Sequence, residues 1–380
     1  MKVNQIYSIV NDITGEILGK TDLVKEDLSN IVDVGKEIFE STSVDNYVRT
    51  LVDRVGKVIF VSRPYSGNTP SVLMDSWDYG AVVEKISCEL PEAVENKSWE
   101  LQDGQDYSPN VFYKPEISAK FFNNKMTFEI DMSFTERQIK SSFASASEIN
   151  SFLSMIYNAV EKSFTVKIDG LIQRTINNMI AETLANDTTG IKAVNLLKMY
   201  NEKFGTTLKA KNAITDKEFI RFASMTMGLY IDRLSRISTL FNIGGKDRFT
   251  SNDMLHVIML SDFKASANSY LQSDTFHNEF TKLPTAETVP YWQGSGTDFS
   301  FEKVSAINVN TSGGKTVSKN GILAVMFDRD AVGVSNLDRR VTTNYNAKGE
   351  FYNNFFKMDC GAFNDLNENF VVFYVEDVTA

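Results

Sequence analysis

The longest run of periodic hydrophobicity lies at 145–186. Ile149, Phe152, Leu153, Ile156, Tyr157, Val160, Phe164, Ile168, Leu171, Ile172, Ile176, Met179, Ile180 and Leu184 recur at spacings of three and four, which puts them on one stripe of a helix. Ser145 followed by Glu148 has the capping-box form, in which each side chain satisfies a free N–H at the helix start. Asn186 and Asp187, with Gly190 just beyond, mark the end. Gly170 costs about 1 kcal/mol relative to Ala and is a candidate kink. At 1.5 Å per residue the helix would be about 60 Å long, roughly twice the diameter of a small domain. One compact core does not cover that length. A coiled coil is the plain alternative, but the spacing drifts instead of holding heptads. The pattern predicts a spine with a sheet against it.

The clearest period of two lies at 115–134. Ile117, Ala119 and Phe121 alternate with polar residues, Asn123-Asn124 supplies a turn, and Met126, Phe128, Ile130, Met132 and Phe134 alternate with Thr127, Glu129, Asp131 and Ser133. This predicts a sheet with one covered and one wet face, the spine being the cover. The runs LHVIML (255–260), ILAVMF (322–327) and FVVFYV (370–375) predict strands, the first of them buried and central, and a further strand is expected at 303–309. Asp262 is placed to cap the helix after 255–260, and Thr215 with Glu218 repeats the capping pattern ahead of ITDKEFIRFASMTMGLYIDRLSRISTLF. AVNLLKMYNEKF reads as helix, NIGGKD (242–247) as a loop, and 284–300 as a turn-rich loop. Before the sheet, Val82, Ile86, Cys88 and Leu90 alternate and Asp103-Gly104 makes a two-residue turn signal. Either an ordinary hairpin or a projecting one fits, and Trp77, Tyr79, Trp99 and Tyr107 among charges suit a surface met by another subunit. At the N-terminus, Ile6, Ile9, Val10, Ile13 and Ile17, then Leu28, Ile31, Val32, Val34 and Ile38, predict short, thinly apolar helices, with Asp22 and Asp45 where caps are useful. The overall class is α+β.

At 380 residues there is ample chain for a core or for two to three domains. The net charge of −10 argues against a surface that grips nucleic acid, though not against a wall that encloses it. No apolar run reaches membrane-span length and no secretory signal is expected at MKVNQIYSIV. Cys88 and Cys360 form no CxxC, so a reducing interior is expected.

Motif chemistry is sparse. Thr311-Ser-Gly-Gly-Lys-Thr316 resembles a phosphate loop, but the position five before Gly314 is Val309 where the pattern needs Gly. Gly244-Gly245-Lys246 is followed by Asp247. Gly294-Ser-Gly296 lacks the nucleophile-elbow spacing. His256 reads as a core residue, and His277 with Glu279 makes a poor metal site. Asp328-Arg329-Asp330 and Asp338-Arg339-Arg340 read as salt-bridged turns ahead of paired catalytic carboxylates. A Ser–His–Asp site needs no local motif, and nothing points to one. No catalytic, cofactor-binding or metal-binding residue is assigned, no cofactor is expected, and the chain is not read as an enzyme.

Two stretches carry a resemblance. DMLHVIMLSDFKASANSYLQSDTFHNEFTKLPTAETVPYWQGSG (253–296) and ILAVMFDRDAVGVSNLDRRVTTNYNAKGEFYNNFFKMDCGAFNDLNENFVVFYV (322–375) resemble tailed-phage major capsid proteins, and the order of elements is similar to the Hong Kong 97-like fold. The resemblance implies an N-terminal arm at 1–56, an extended β-hairpin loop at 57–110, a peripheral domain with the long spine helix at 111–190, an axial domain at 191–335, and a return to the peripheral domain at 336–380. It implies self-assembly as hexamers and pentamers into an icosahedral head enclosing double-stranded DNA, with no membrane and with portal, scaffolding and decoration proteins as partners. The place implied is the virion capsid, assembled in the host bacterial cytoplasm. No scaffolding segment is expected ahead of the arm. Some such proteins cross-link through a loop lysine, and Lys85 and Lys97 are loop lysines here, with no role assigned. An encapsulin-type shell around enzyme cargo, another virion component, and a soluble enzyme with a non-motif site are the competing readings.

Overall fold

The computed structural model describes residues 124–142, 144–272, 286–293 and 299–377, strands at 73–74, 83–88 and 117–122, and isolated positions elsewhere in the first 116. Trp77, Tyr79, Trp99, Tyr107, Lys97, Asp22, Asp45, His277 and Gly294 to Gly296 lie outside the described residues, as does most of the expected arm. Among the first 56 residues, helical turns at 10–14 and 32–34 carry the buried Val10, Ile13 and Val34.

In chain order the described elements begin with β1 (Leu73–Met74), β2 (Val83–Cys88), β3 (Ile117–Phe122), β4 (Lys125–Thr135), α1 (Glu136–Ser142) and α2 (Ala146–Asn186). They continue with β5 (Ala193–Asn195), α3 (Leu196–Phe204), α4 (Ala210–Ala213), α5 (Lys217–Leu234), β6 (Leu255–Leu260), α6 (Ser261–Gln272) and β7 (Glu287–Val289). The last are α7 (Phe301–Val304), β8 (Ile307–Asn310), β9 (Thr316–Lys319), β10 (Ile322–Asp328), β11 (Val332–Asn346), β12 (Phe351–Asn364) and β13 (Phe370–Tyr374). The fold is α+β. A four-stranded sheet runs β1-β11-β12-β4 and a five-stranded sheet runs β5-β13-β10-β6-β7. Two ribbons, β2–β3 and β8–β9, stand apart from both sheets.

Helix α2 is the spine that the periodicity predicts, 41 residues long and unbroken at Gly170. The Ser145 side chain accepts from the Glu148 N–H at 3.2 Å, as the cap pattern requires. Replacing Ser145 by Ala removes that bond at an exposed helix start. We expect about 1 kcal/mol of destabilisation, read as a lowered urea midpoint at unchanged slope.

The two halves of α2 are covered differently. In the first half one residue per turn is buried: Leu153, Ile156, Val160, Phe164 and Ile168. Phe134 of β4 meets Phe152 edge-on, and the Arg339 guanidinium of β11 lies over the Phe164 ring. From Leu171 to Thr183 nearly every side is covered. There Asn177 donates to the Trp292 carbonyl at 2.6 Å, and Glu182 accepts from the Ser312 N–H of the β8–β9 turn. The stripe is therefore buried by this chain's own two sheets. The cover is thus more than the single sheet expected against the spine; among the described residues Met155 and Val166 are its large exposed apolar side chains.

The spine ends in a clasp. The Asp187 carboxylate accepts from the N–H groups of Thr189, Lys192 and Ala193, so it fixes the start of β5. Burial works against this carboxylate, but the Ala193 and Thr189 bonds and the Lys192 charge outweigh it and hold its pKa below the ordinary Asp value. A depressed folded pKa adds stability that is present above the unfolded value, about 3.9, and is lost as pH falls through the lower one. Asp187→Asn should therefore melt earlier at neutral pH and lose less further stability on acidification than the parent, as followed by thermal unfolding across pH.

Several local expectations shift. The cap of α5 is Asp216, which accepts from Phe219 N–H, in place of Thr215. Asp262 sits inside the first turn of α6, because the helix begins at Ser261. The stretch expected as a strand at 303–309 is a short helix followed by β8. AVN of the expected helix at 193–195 is strand β5, paired with β13. β6 does lie inside the five-stranded sheet, between β10 and β7. β3 and β4 do not pair across Asn123-Asn124: β3 pairs with β2, and β4 pairs with β12. The long β11–β12 hairpin has no counterpart among the expected strands. Its turn is closed by Asn346, whose side-chain oxygen accepts from the N–H groups of Lys348 and Gly349.

Candidate assembly surfaces

The β2–β3 ribbon is the most distinctive surface element. Its register puts Lys85 directly opposite Lys120, and Ile86 opposite Ala119. Period-two geometry then puts Lys85 and Lys120 on one face with Ser87, Ser118 and Phe122, and Ile86 on the other with Cys88, Ile117, Ala119 and Phe121. The sequence alternation at Ile117, Ala119 and Phe121 is real, but its apolar side is the outer one. Ile117 is 63% exposed and Phe121 is 62% exposed, with Ile86 beside them at 65%. The expected covered face is therefore the uncovered one.

The inner face is held by charge. Lys85 Nζ lies 2.7 Å from Glu368 Oε1 and 3.0 Å from Asp365 Oδ2, and Lys120 Nζ lies 2.9 Å from Asp365 Oδ1. Arg248 reaches Glu368 at 3.2 Å. Both carboxylates are almost fully buried. Burial works against the Asp365 carboxylate, yet the bond from Lys120 and the Lys85 charge keep its pKa below the usual carboxylate value. Burial likewise works against the Lys85 ammonium, yet Glu368 and Asp365 hold its pKa above the ordinary lysine value.

A second apolar surface lies on α3 and α5. Phe204 is exposed, as are Met225 and Leu229, which are one turn apart on α5. They line a groove of about 570 Å³, and Lys203 sits over the rings of Phe204 and Phe222. By contrast, the outer face of the four-stranded sheet is a lattice of matched pairs. Lys357 meets Glu129 at 2.9 Å, Arg340 meets Asp359, and Ser133 bonds Asn353. Among its described residues, such a face carries charge of both signs in matched pairs.

The residues singled out for chemistry do not converge. Thr311 to Thr316 is the turn of the β8–β9 ribbon, where the Ser312 N–H is occupied by Glu182. Gly244 and Gly245 belong to the loop beside 365–369, with the Ile243 and Gly244 N–H groups on the Leu366 carbonyl. His256 stacks on Phe327, and burial holds its pKa below the ordinary histidine value. Asp328 accepts from the Thr250 hydroxyl and from the Asp330 N–H, which is a structural role. Arg339 and Arg340 lie on strand β11 and not on a turn, paired with Glu161 and Asp359. Cys88 is exposed and Cys360 buried, and the two form no disulfide. Among the described residues there is no cluster of three potential metal ligands and no helix long and apolar enough to cross a membrane.

The fold has a known counterpart. A chain in the capsid structure of Staphylococcus phage Andhra is similar with a TM-score of 0.53 and 10% identity, over 83% of this chain and 86% of that one. The architecture is thus the fold of a chain found in a phage capsid structure. The family model for Phi29-like phage major capsid protein matches residues 6–374, and the chain belongs to that family. Two curated relatives carry the same description. The major capsid protein of Bacillus phage B103 is 23% identical over 187 residues, 48% of this chain and 40% of that one. The one from Bacillus phage GA-1 is 21% identical over 188 residues, 48% of this chain and 38% of that one. The match thus spans about two fifths of the length of either relative.

Proposed function

We propose that this chain assembles with copies of itself, as hexamers and pentamers, into the icosahedral head shell that encloses a phage double-stranded DNA genome. Membership of the major capsid protein family carries the reading. The physics supports it: two separate apolar surfaces, the ribbon ladder and the α3/α5 groove, lie uncovered on one subunit. The shell places the chain in the virion, with assembly in the host bacterial cytoplasm. Its role is structural and not enzymatic. Portal and scaffolding proteins, and a decoration protein, are its further partners.

In this reading the β2–β3 ribbon and the chain between its strands form the extended loop over a neighbour. The four-stranded sheet with the first half of α2 forms the peripheral domain. Residues 191–335 form most of the axial domain, whose five-stranded sheet also takes in β13 from the 336–380 stretch expected in the peripheral domain, and residues 1–56 form the arm. The acidic balance, −10 overall, keeps the wall from sticking to packaged DNA. Negative-stain electron microscopy with light scattering tests the reading. Closed shells, or hexamers and pentamers, are expected. A persistent monomer, with scaffolding protein also supplied, overturns it.

A further inference from the structure

We propose that the β2–β3 ribbon is a flap held to the body by an electrostatic latch, Lys85 and Lys120 on Asp365 and Glu368, and that opening this latch is what lets the ribbon swing relative to both sheets. The inference rests on the assembly reading, because the ribbon carries the apolar ladder which that reading gives to a neighbouring copy.

The register makes the first argument. Lys85 and Lys120 are cross-strand partners on one face. Like charges directly opposite one another weaken a ribbon unless counter-charges meet them. Asp365 and Glu368 supply those counter-charges, so the same two carboxylates that dock the ribbon also relieve its internal repulsion.

The second argument is what lies beneath. A strand that belongs to a core presents apolar side chains inward. Here the inward positions include two ammonium groups, and an open cavity of about 280 Å³ lies between the Phe121–Phe122 end of the ribbon and the spine residues Leu171, Arg174 and Thr175. The Phe122 ring meets Phe363 at 4.9 Å. A cavity wall has no partner atoms across it and so contributes little dispersion attraction. The ion pairs thus carry an unusual share of the docking.

The third argument is where the latch plate sits. Asp365 and Glu368 lie on the short link between β12 of one sheet and β13 of the other. The Asp365 N–H is fixed to the Ala331 carbonyl at 2.8 Å, and Arg248 braces Glu368 from the loop that follows α5. Rotation of one sheet against the other therefore moves the plate under the two lysines. Salt weakens the lysine contacts, which keep a quarter or more of their side chains exposed, 26% for Lys85 and 38% for Lys120. It leaves the doubly buried apolar strands of the five-stranded sheet untouched.

The test is backbone hydrogen exchange on the purified chain before assembly, parent against the Asp365→Asn, Glu368→Gln double variant. We expect exchange roughly tenfold faster across β2 and β3, with β10 and β13 unchanged. Unchanged ribbon exchange in a variant with an intact body overturns the latch. If the double variant loosens the whole body, the parent alone decides: raising salt from about 0.05 M to about 1 M should speed the ribbon and spare β10 and β13, and a ribbon that does not respond overturns the proposal. Shell formation is scored separately by electron microscopy. A chain that never forms shells yet shows the ribbon effect removes the assembly reading and keeps the latch.

Discussion

Ile176→Asp should leave no stably folded subunit. Ile176 is 1% exposed, between Ile172 and Ile180, both fully buried, in the half of α2 that is covered on nearly every side. The cation of that segment, Arg174, is exposed and points elsewhere on the helix. An unpaired carboxylate there has no partner and no route to water. The cost is about 4–5 kcal/mol or more, against a total stability of about 5–15 kcal/mol for a domain. Ile156→Asp should be milder, because the first half of α2 is buried along one stripe and a side chain there lies close to the wet flank. Ile176→Val, which keeps the chemistry and removes one methyl, should cost about 0.5–1.5 kcal/mol. Soluble yield and urea unfolding of the three variants check the ranking. An Ile176→Asp chain that unfolds at the parent's midpoint would mean that the second half of the spine is not packed between the two sheets.

The same helix shows what the sequence makes legible. A stripe that repeats for 41 residues survives every local ambiguity, and its cap was readable because Ser145 acts on a neighbour three residues away. β6, β10 and β13 were readable because strands covered on both faces are written as continuous apolar runs. The β11–β12 hairpin was not. Its inner row mixes Tyr352, Phe356 and Met358 with Asn354, a buried amide that donates to the Met132 carbonyl and accepts from Thr343. Periodicity read on hydrophobicity alone breaks at such a residue.

The ribbon fails for a different reason. Alternation states that a strand has two faces, not which of them turns inward. Lys120 turns inward because Asp365 waits for it 245 positions later, and that carboxylate has no local signature. Nor does a turn at Asn123-Asn124 say whether the strands around it pair with each other. The surface proposed for assembly was therefore visible as a pattern and misplaced as a face. The resemblance at 253–296 and 322–375 supplied the family, and the geometry supplied the surface.

Phe121→Asp combined with Ile117→Asp should leave the subunit folded and abolish shells. Both side chains are more than 60% exposed on the outer face of the ribbon, at 62% and 63%. Substitutions at such sites usually change subunit stability by about 0.5 kcal/mol or less. In the shell the balance reverses. An aromatic ring buries about 150–250 Å² at a contact, and a carboxylate forced into the same apolar seat costs several kcal/mol without a partner. A closed shell repeats the contact at every subunit, so a small loss per contact compounds across the assembly. The ion pairs of the inner face remain in place, because neither changed residue takes part in them. The expected result is an unchanged thermal unfolding curve with light scattering that reports subunits or small oligomers only. Shells formed at the parent's yield would show that the ladder faces solvent in the head, and would move the neighbour's contact to the α3/α5 groove, where Met225→Asp is the corresponding test.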